Sequence, residues 1–223
     1  MHQRKGKKIL AYFFLLILVG SVNNINLYNL KFKEIKNINV KGLGIHGNSI
    51  LSKKIKNLNL NNIFFVTSDD IKNHINSNNL VEKYSIFKRY PASLDIEIEK
   101  TKFLARINNN GKIFFIGSNG KLSNNNFSKI QLPFIFGSPE INEFLNFKEI
   151  IDKSKFSYDE IRNLYFFSSK RWDLELKNNV IIKLSNNYLI DSLDLAFQFL
   201  HNNDLEGIKI IDARVKNQII VND

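Results

Sequence analysis

Four histidines and a row of alternating carboxylates are the residues of this chain best suited to acid, base or metal chemistry. The histidines are His2, His46, His74 and His201. No two of them have the spacing of metal ligands, and none neighbours a carboxylate pair in the sequence. The carboxylates are Asp95, Glu97 and Glu99. They alternate with apolar residues, which predicts a half-buried strand whose solvated face carries the charges rather than an acid–base site.

A second candidate for chemistry is the glycine motif GLGIHG at residues 42–47. It spells the dinucleotide fingerprint G-x-G-x-x-G, it lies between a predicted strand and a predicted helix, and an acidic pair follows downstream. However, Asn48 and Ser49 resemble helix caps, which would start the helix after the third glycine. No further β-α-β units follow. We therefore interpret the motif as a glycine-rich turn.

Composition narrows the classes of function. The chain has no cysteine, which excludes disulfides, thiolate metal sites and cysteine nucleophiles. Its formal net charge is +11. The lysines are scattered rather than gathered into a basic patch with interleaved aromatic residues, so we expect no nucleic-acid partner.

The N-terminus carries the signature of a membrane-targeting segment. Arg4, Lys5, Lys7 and Lys8 precede the apolar run ILAYFFLLILVGSV at 9–22. The basic tail is expected to be cytoplasmic and the rest of the chain to lie across the membrane. The run is short for a span of about 20 residues, and Val19-Gly20-Ser21 could be a signal-peptide cleavage site. Alternatively, residues up to about 28 extend a retained anchor. Both interpretations remain open at this point.

The region from 35 to 101 predicts a small α+β unit. A short strand at 35–41 is followed by helical apolar spacing over 50–58. Thr67 and Asp70 have the spacing of a capping box and predict a helix over about 68–78. Two strands complete the order strand, helix, helix, strand, strand. Two helices would then cover one face of a small sheet.

The region after 101 predicts mostly sheet with one or two covering helices. Hairpin turns are indicated at Asn110-Gly111 and Asn119-Gly120, and helices over about 140–153 and 188–201. The run KRWDLELKNNVIIKL at 170–184 predicts a hairpin with its turn at Asn178-Asn179. Within it, Trp172 is expected to anchor the sheet in the core, with Leu174 and Leu176 on the same face.

The last two predicted strands, in IKIIDARV and QIIV, suggest a binding activity. A strand at the end of a chain often lies at the edge of a sheet, where its N–H and C=O groups can pair with a partner strand. An internal strand, or an edge blocked by its lysine and asparagine, is the alternative that the residues leave open.

The order of these features resembles the bacterial cell-division family FtsQ, called DivIB in some lineages. The segments that carry the resemblance are INVKG, RYPASLDIEIEKTKFLARI, Gly120 followed by LPFIFG, KRWDLELKNNVIIKL and IIDARVKNQIIV. Among the departures, Val215 stands where the family commonly has an aromatic residue.

The resemblance implies an α+β fold in four parts. These are a cytoplasmic basic tail at 1–8, a retained transmembrane anchor at 9–28, a β-α-α-β-β POTRA domain at 35–101, and a mostly antiparallel β domain with covering helices at 102–223. It implies the bacterial inner membrane, with the N-terminus in the cytoplasm and both folded domains in the periplasm. It implies no catalysis, and we expect no cofactor.

The resemblance also implies a scaffold of the divisome that joins FtsB- and FtsL-type single-pass proteins. Its POTRA domain would help to recruit other division proteins, and its last strand would take up FtsB by strand addition. By position, partner binding is assigned to Arg171, Arg214, Val215, Lys216, Asn217, Gln218, Ile219, Ile220 and Val221. The alternatives are a POTRA-containing membrane-assembly or secretion partner and a secreted hydrolase with a cleaved signal peptide.

Overall fold

The computed structural model of the protein describes residues 3–22, 34–58, 60, 62–124, 131–202 and 207–222. Beyond the N-terminal helix, these residues form two sheets, and each sheet has its own hydrophobic core. We refer to 34–100 as the N-terminal unit and to 101–222 as the C-terminal unit.

Helix α1, Gln3–Val22, is the first element. Its large apolar side chains from Ile9 to Val19 are each between 50% and 71% exposed. Judged by length and hydropathy together, none of the helices within the described ranges qualifies as a membrane span. The predicted anchor extended to residue 28, and its last residues, from 23 onward, lie outside the described part of the chain. The anchor therefore stays a prediction.

The N-terminal unit has the predicted order of elements. They are β1 (Asn37–Lys41), α2 (Gly44–Lys56), α3 (Ser68–Asn76), β2 (Val81–Arg89) and β3 (Ser93–Lys100). The sheet order is β1-β3-β2, with β1 parallel and β2 antiparallel to the central β3. Helix α2 buries Leu51 and Ile55 in the core of this unit, and α3 buries Ile71 and Ile75. The predicted capping box is present, since the Thr67 N–H donates to Asp70 Oδ2 at 2.7 Å.

Only Gly42 and Leu43 of the glycine motif form a bend, and the rest of the motif is helical, so one of our two reasons for excluding a nucleotide site was wrong. Helix α2 begins at Gly44, so the third glycine of the motif does lie in its first turn. Asn48 follows that turn within the helix and reaches back to its start, where its Oδ1 accepts the Leu43 N–H at 2.9 Å. The exclusion stands on topology, since the sheet is not doubly wound. Gly42 has φ +110°, and a Cβ there would lie 1.8 Å from the Ile98 carbonyl oxygen.

Gly42→Ala should destabilise the N-terminal unit for this reason. The matched control is Gly111→Ala, because Gly111 also has positive φ (+78°) but a Cβ there would meet nothing within 4 Å. Positive φ costs an alanine on the order of 1 kcal/mol at both sites, and the clash with Ile98 should add about 2 kcal/mol at Gly42 only. Urea unfolding would measure the difference, and equal losses for the two variants would refute the close approach.

The C-terminal unit is built on a sheet with the strand order β12-β11-β10-β9-β8-β7-β4-β5-β6. The strands are β4 (Phe103–Asn109), β5 (Lys112–Gly117), β6 (Leu122–Ser123), β7 (Phe134–Phe136), β8 (Ile161–Phe166), β9 (Trp172–Leu176), β10 (Ile181–Leu184), β11 (Ile210–Ala213) and β12 (Ile220–Asn222). Its helices are α4 (Ile141–Lys153) and α5 (Leu189–Asn202), with a 3₁₀ turn at Tyr158–Glu160.

Most neighbouring strands in this sheet run antiparallel, as predicted. The exceptions are β7, which is parallel to both β4 and β8, and the parallel pair β10 and β11. A parallel pair needs a crossover connection, and α5 supplies it between β10 and β11. The predicted hairpin at 170–184 forms β9 and β10, and Asn179 in its turn has φ +67°.

Trp172 anchors the sheet to α4. Its ring stacks on Phe147 at a centroid distance of 4.5 Å and an interplanar angle of 4°, and it is 5% exposed. Leu174 is fully buried on the same face, as predicted. Because side chains alternate along a strand, Asp173 and Glu175 lie on the opposite face of the sheet.

The two units are joined by hydrogen bonds around the predicted turn at Asn119-Gly120. Asn119 Nδ2 donates to the carbonyl oxygens of Asn79 at 3.0 Å and Val81 at 2.8 Å. Ser118 Oγ donates to Glu82 Oε2 at 2.8 Å. The junction therefore lies where β2 begins and β3 ends.

Candidate partner-binding edge

Strand β12 forms one edge of the C-terminal sheet. It pairs antiparallel with β11, with Val221 opposite Ile211, and within the described residues no strand lies beyond it. The side chains of Ile220 and Val221 are 52% and 41% exposed. The sequence left open whether the last strand is internal or at an edge, and the structure places it at the edge. Partner binding by this strand stays a prediction.

The turn before β12 contains most of the other predicted site residues. Asn217 has φ +57°, and the Gln218 N–H donates to the Val215 carbonyl at 3.2 Å, which closes the turn. Val215 is 48% exposed. Ile219, in contrast, is partly buried against the core of the C-terminal unit. Ile219 is therefore the predicted contact residue least accessible to a partner.

Lys216 ties this turn to the segment that precedes α5. Its Nζ lies 5.0 Å from the centroid of the Tyr188 ring, a distance typical of a cation–π contact. Tyr188 is 41% exposed and was not among the predicted site residues. No spacing in the sequence indicates this pair, because the crossover between β10 and β11 brings it together.

Three charged residues lie side by side across the strands next to β12. Lys183 on β10 is in register with Asp173 on β9 and with Asp212 on β11. Asp212 is in turn opposite Ile220 on β12. We call Asp173, Lys183 and Asp212 the ionic row. It lies on the sheet face opposite the one that Trp172 packs against α4.

An arginine closes each end of the ionic row. Arg214 Nε and Nη2 donate to the Asp212 carboxylate at 2.8 Å and 2.5 Å, and Arg171 Nε donates to Asp173 Oδ1 at 3.1 Å. Arg171 also lies over the ring of Phe167, with its Cζ 4.3 Å from the centroid. Arg171 and Arg214, which lie far apart in the sequence, thus occupy the two ends of one charged surface next to β12.

The two carboxylates of the row have pKa values shifted in opposite directions. Hydrogen bonds from Arg214 lower the pKa of Asp212. Burial raises the pKa of Asp173, in spite of the opposing hydrogen bond from Arg171. The Arg214 end of the row is thus a firmly ionised pair at neutral pH.

Carboxyl carbon-13 NMR should resolve these shifts. Asp212 should titrate below, and Asp173 above, the ordinary aspartate pKa of about 3.9. Because the pKa of Asp212 is lowered on folding, its contribution to stability is present above about pH 3.9 and is lost as the pH falls through the folded-state pKa. Arg214→Gln should raise the pKa of Asp212 and leave that of Asp173 nearly unchanged. A single common pKa for both groups would be incompatible with the row as described.

The open face continues past the ionic row with an aromatic pair. Tyr165, opposite Asp173, stacks on Phe136 with centroids 5.0 Å apart. Its hydroxyl donates to Glu175 Oε2 at 2.6 Å, and burial together with this hydrogen bond raises the pKa of Tyr165 to about 12. Phe136 is 44% exposed. These residues extend the surface beyond the positions that the sequence indicated.

The structure describes His46, His74, His201 and the three alternating carboxylates that were first considered for catalysis. Among the described residues, no three histidine, aspartate or glutamate side chains could hold a metal ion together, and His2 lies outside them. Glu97 and Glu99 are exposed, as expected of a solvated strand face. Asp95 corrects that expectation: it is 8% exposed, accepts a 2.9 Å hydrogen bond from Asn39 and forms an ion pair with Arg89.

Comparison with known proteins agrees with this architecture. The family described as "POTRA domain, FtsQ-type" matches residues 33–100, which coincide with the N-terminal unit. In that unit two helices cover one face of the β1-β3-β2 sheet.

Three similar proteins carry the name Cell division protein FtsQ. The one from Rickettsia bellii is 25% identical over 177 residues, which cover 71% of this chain and 61% of that protein. The one from Bradyrhizobium diazoefficiens is 20% identical (71% of this chain, 48% of that protein), and the one from Rickettsia conorii is 23% identical (75% and 65%). The matches thus span about half to two thirds of the length of these relatives. Together with the POTRA match, these similarities support the resemblance to the FtsQ/DivIB family.

Proposed function

We propose that the protein is a membrane-anchored, non-enzymatic scaffold of bacterial cell division that binds a partner strand along β12. The observation that carries this proposal is the open edge of β12, where Ile220 and Val221 are exposed at the end of a nine-stranded sheet. The names of the relatives supply the cellular context.

Binding would occur by strand addition. A partner segment that lies beside β12 pairs with its outward N–H and C=O groups, and these hydrogen bonds supply most of the affinity. The side chains of Ile220 and Val221 lie on opposite faces of the sheet, so each would contact a different residue of the added strand. Register is thereby defined, because a slip of one residue would exchange the two faces.

The ionic row would add selectivity. Arg171 and Arg214 hold their carboxylates by hydrogen bonds, and Arg214 keeps 44% of its side chain exposed. Such charges favour a partner with acidic residues beside its added strand, and they accelerate association more than they increase affinity. The partners we propose are FtsB- and FtsL-type single-pass proteins. The POTRA domain would help to recruit other division proteins.

The anchor in this proposal is the segment that begins with α1. Basic residues precede its apolar run, and the apolar side chains from Ile9 to Val19 are exposed on the helix. Exposure of this extent is unfavourable in water and favourable in lipid. The N-terminus would lie in the cytoplasm and the two folded units in the periplasm, with the span in the inner membrane.

Affinity purification of the full chain from solubilised bacterial membranes tests the proposal. FtsB- and FtsL-type proteins should co-purify with the wild type and with a control that carries His201→Ala, an exposed change on α5. They should be lost when residues 215–223 are deleted, while circular dichroism shows that the fold persists. A mature chain that starts near residue 22 would instead support the secreted hydrolase with a cleaved signal peptide.

A further inference from the structure

One end of the N-terminal unit carries a cluster of exposed aromatic side chains. Phe64 and Phe65 follow the first helix of the unit, and Tyr90 lies in the turn between β2 and β3. Their side chains are 56%, 72% and 62% exposed, and the rings of Phe64 and Tyr90 are 5.0 Å apart. We call Phe64, Phe65 and Tyr90 the aromatic tip.

Asn62 holds the two phenylalanines in place. Its Oδ1 accepts the Phe64 N–H at 3.0 Å, and its carbonyl accepts the Phe65 N–H at 3.2 Å. Ile63, which directly precedes them, is fully buried. The backbone here is therefore fixed, and it presents two large apolar side chains to the surroundings while Ile63 packs in the core.

The aromatic tip lies where the chain enters the folded units. Glu34 forms a β-bridge with Asn62, and the Lys36 N–H donates to the Ala92 carbonyl at 3.0 Å, so the first described residues of the unit run beside both parts of the tip. Residues 23–33 separate Glu34 from α1 in the sequence. A fully extended segment of that length reaches at most about 40 Å.

The opposite end of the unit leads to the C-terminal unit. Strand β2 runs from the junction at Val81 to Arg89 beside the tip, and β3 returns from Ser93 to Lys100. At about 3.3 Å per residue, these strands separate the tip from the junction by roughly 25–30 Å. The tip thus lies at the end of the N-terminal unit where the chain enters from α1, because Glu34 and Lys36 pair beside it.

Charged groups of both signs surround the tip. Lys36, Lys88 and Arg89 are basic, and Glu34 and Asp70 are acidic. Lys88 lies close enough to Asp70 to help lower its pKa, and Arg89 is already paired with Asp95. This mixture provides no strong attraction for an anionic surface. Aromatic side chains with an apolar body are suited to the boundary between lipid headgroups and acyl chains, where contact depends on apolar area.

We propose that the aromatic tip inserts into the headgroup boundary of the same bilayer that holds α1. This inference rests on the membrane anchor in the proposed function. Insertion would orient the N-terminal unit with β2 and β3 rising from the membrane, so that the C-terminal unit begins about 25–30 Å above the surface. The tip would then work as a second contact that fixes the height at which β12 is presented.

Spin labels on the full chain in nanodiscs of neutral phosphatidylcholine would test this. Because the chain has no cysteine, single substitutions label it uniquely. Three sites report on three compartments: Leu16→Cys on α1, Phe65→Cys at the tip, and Ile113→Cys, which is 54% exposed in the C-terminal unit. At Leu16→Cys and Phe65→Cys, the spin label should collide more often with oxygen than with a water-soluble nickel chelate. At Ile113→Cys, it should collide more often with the nickel chelate.

The outcomes separate the tip from the anchor. A lipid signal at Leu16 with a purely aqueous signal at Phe65 overturns the tip inference alone. An aqueous signal at Leu16 overturns the anchor and, with it, insertion of the tip into the bilayer that holds α1. Aqueous signals at both sites overturn both proposals.

A second set of variants separates aromatic insertion from mere proximity. In the Phe65→Cys background, the double substitution Phe64→Ser with Tyr90→Ser should raise the ratio of nickel-chelate collisions to oxygen collisions at the label at least threefold. The matched control is Ile45→Ser, since Ile45 is 94% exposed on α2 and does not belong to the tip. It should leave the label in lipid, and 0.5 M sodium chloride should also have little effect. An unchanged signal in the double variant would overturn the inference.

Discussion

Replacing Trp172 by alanine should lower the free energy of unfolding by about 3–5 kcal/mol, the range observed for large aromatic side chains removed from packed cores. Trp172 contacts rings from both layers of the C-terminal unit: Phe147 of α4 at 4.5 Å and Phe166 of β8 at 4.7 Å. Its removal leaves a cavity between helix and sheet that these neighbours cannot fill without moving their own elements. Urea unfolding followed by circular dichroism would measure the loss.

Phe167→Ala is the control for this variant. Phe167 lies just beyond β8, is 39% exposed and contacts Arg171 rather than the core. We expect its replacement to cost less than about 1 kcal/mol, as is usual for surface substitutions. If Trp172→Ala were as mild as Phe167→Ala, the ring stack would not be the connection between α4 and the sheet.

Proline substitutions in β12 should separate partner binding from folding. Neighbouring residues of a strand turn their main-chain N–H groups to opposite sides, so one N–H of Ile220 and Val221 faces β11 and the other faces the open edge. Proline removes an N–H. The substitution that removes the outward N–H should weaken partner binding at least tenfold, because it removes a hydrogen bond to the added strand and also obstructs that strand. It should preserve the fold, because it leaves the bonds to β11 in place.

The matched control is the proline substitution at whichever of the two residues turns its N–H toward β11. This substitution removes a hydrogen bond to β11 and should therefore destabilise the terminal hairpin as well as weaken binding. Isothermal titration calorimetry with a peptide from the proposed FtsB-type partner, together with circular dichroism, would distinguish the two variants. Wild-type affinity in both folded variants would exclude strand addition at β12.

Much of the fold follows from local patterns. The alternation of apolar and charged residues around Trp172 and Leu174 indicated the β9–β10 hairpin, because the apolar side chains of that strand all pack in the core. Thr67 and Asp70 indicated the start of α3, because the capping box is a contact within one helical turn. Such predictions succeed when the interactions that fix an element are close in sequence.

Other features depend on contacts that no local pattern encodes. The three-residue strand β7 lies parallel between β4 and β8, and its place in the sheet depends on partners from two distant segments. The start of α2 was predicted too late, because Asn48 reaches back to Leu43 from within the helix. Asp95 was expected to be solvated, but Asn39 from the neighbouring strand covers it.

The candidate site also combines a feature that the sequence could predict with features that it could not. The position of β12 near an edge was a reasonable expectation for a terminal strand. The ionic row was not predictable, because Asp173, Lys183 and Asp212 become neighbours only through the registers of β9, β10 and β11. The same registers place Arg171 and Arg214 at the two ends of the ionic row.

Hydrogen–deuterium exchange on the full chain, with and without the proposed FtsB-type partner, tests the central claim most directly. Strand addition pairs main-chain groups, so the amides of Ile220, Val221 and Asn222 that face the open edge should exchange at least tenfold more slowly in the complex. Amides of the Asn110-Gly111 turn, remote from the edge in the sheet order, should not change. A partner that binds while exchange across 220–222 stays the same would show that β12 is not the binding edge.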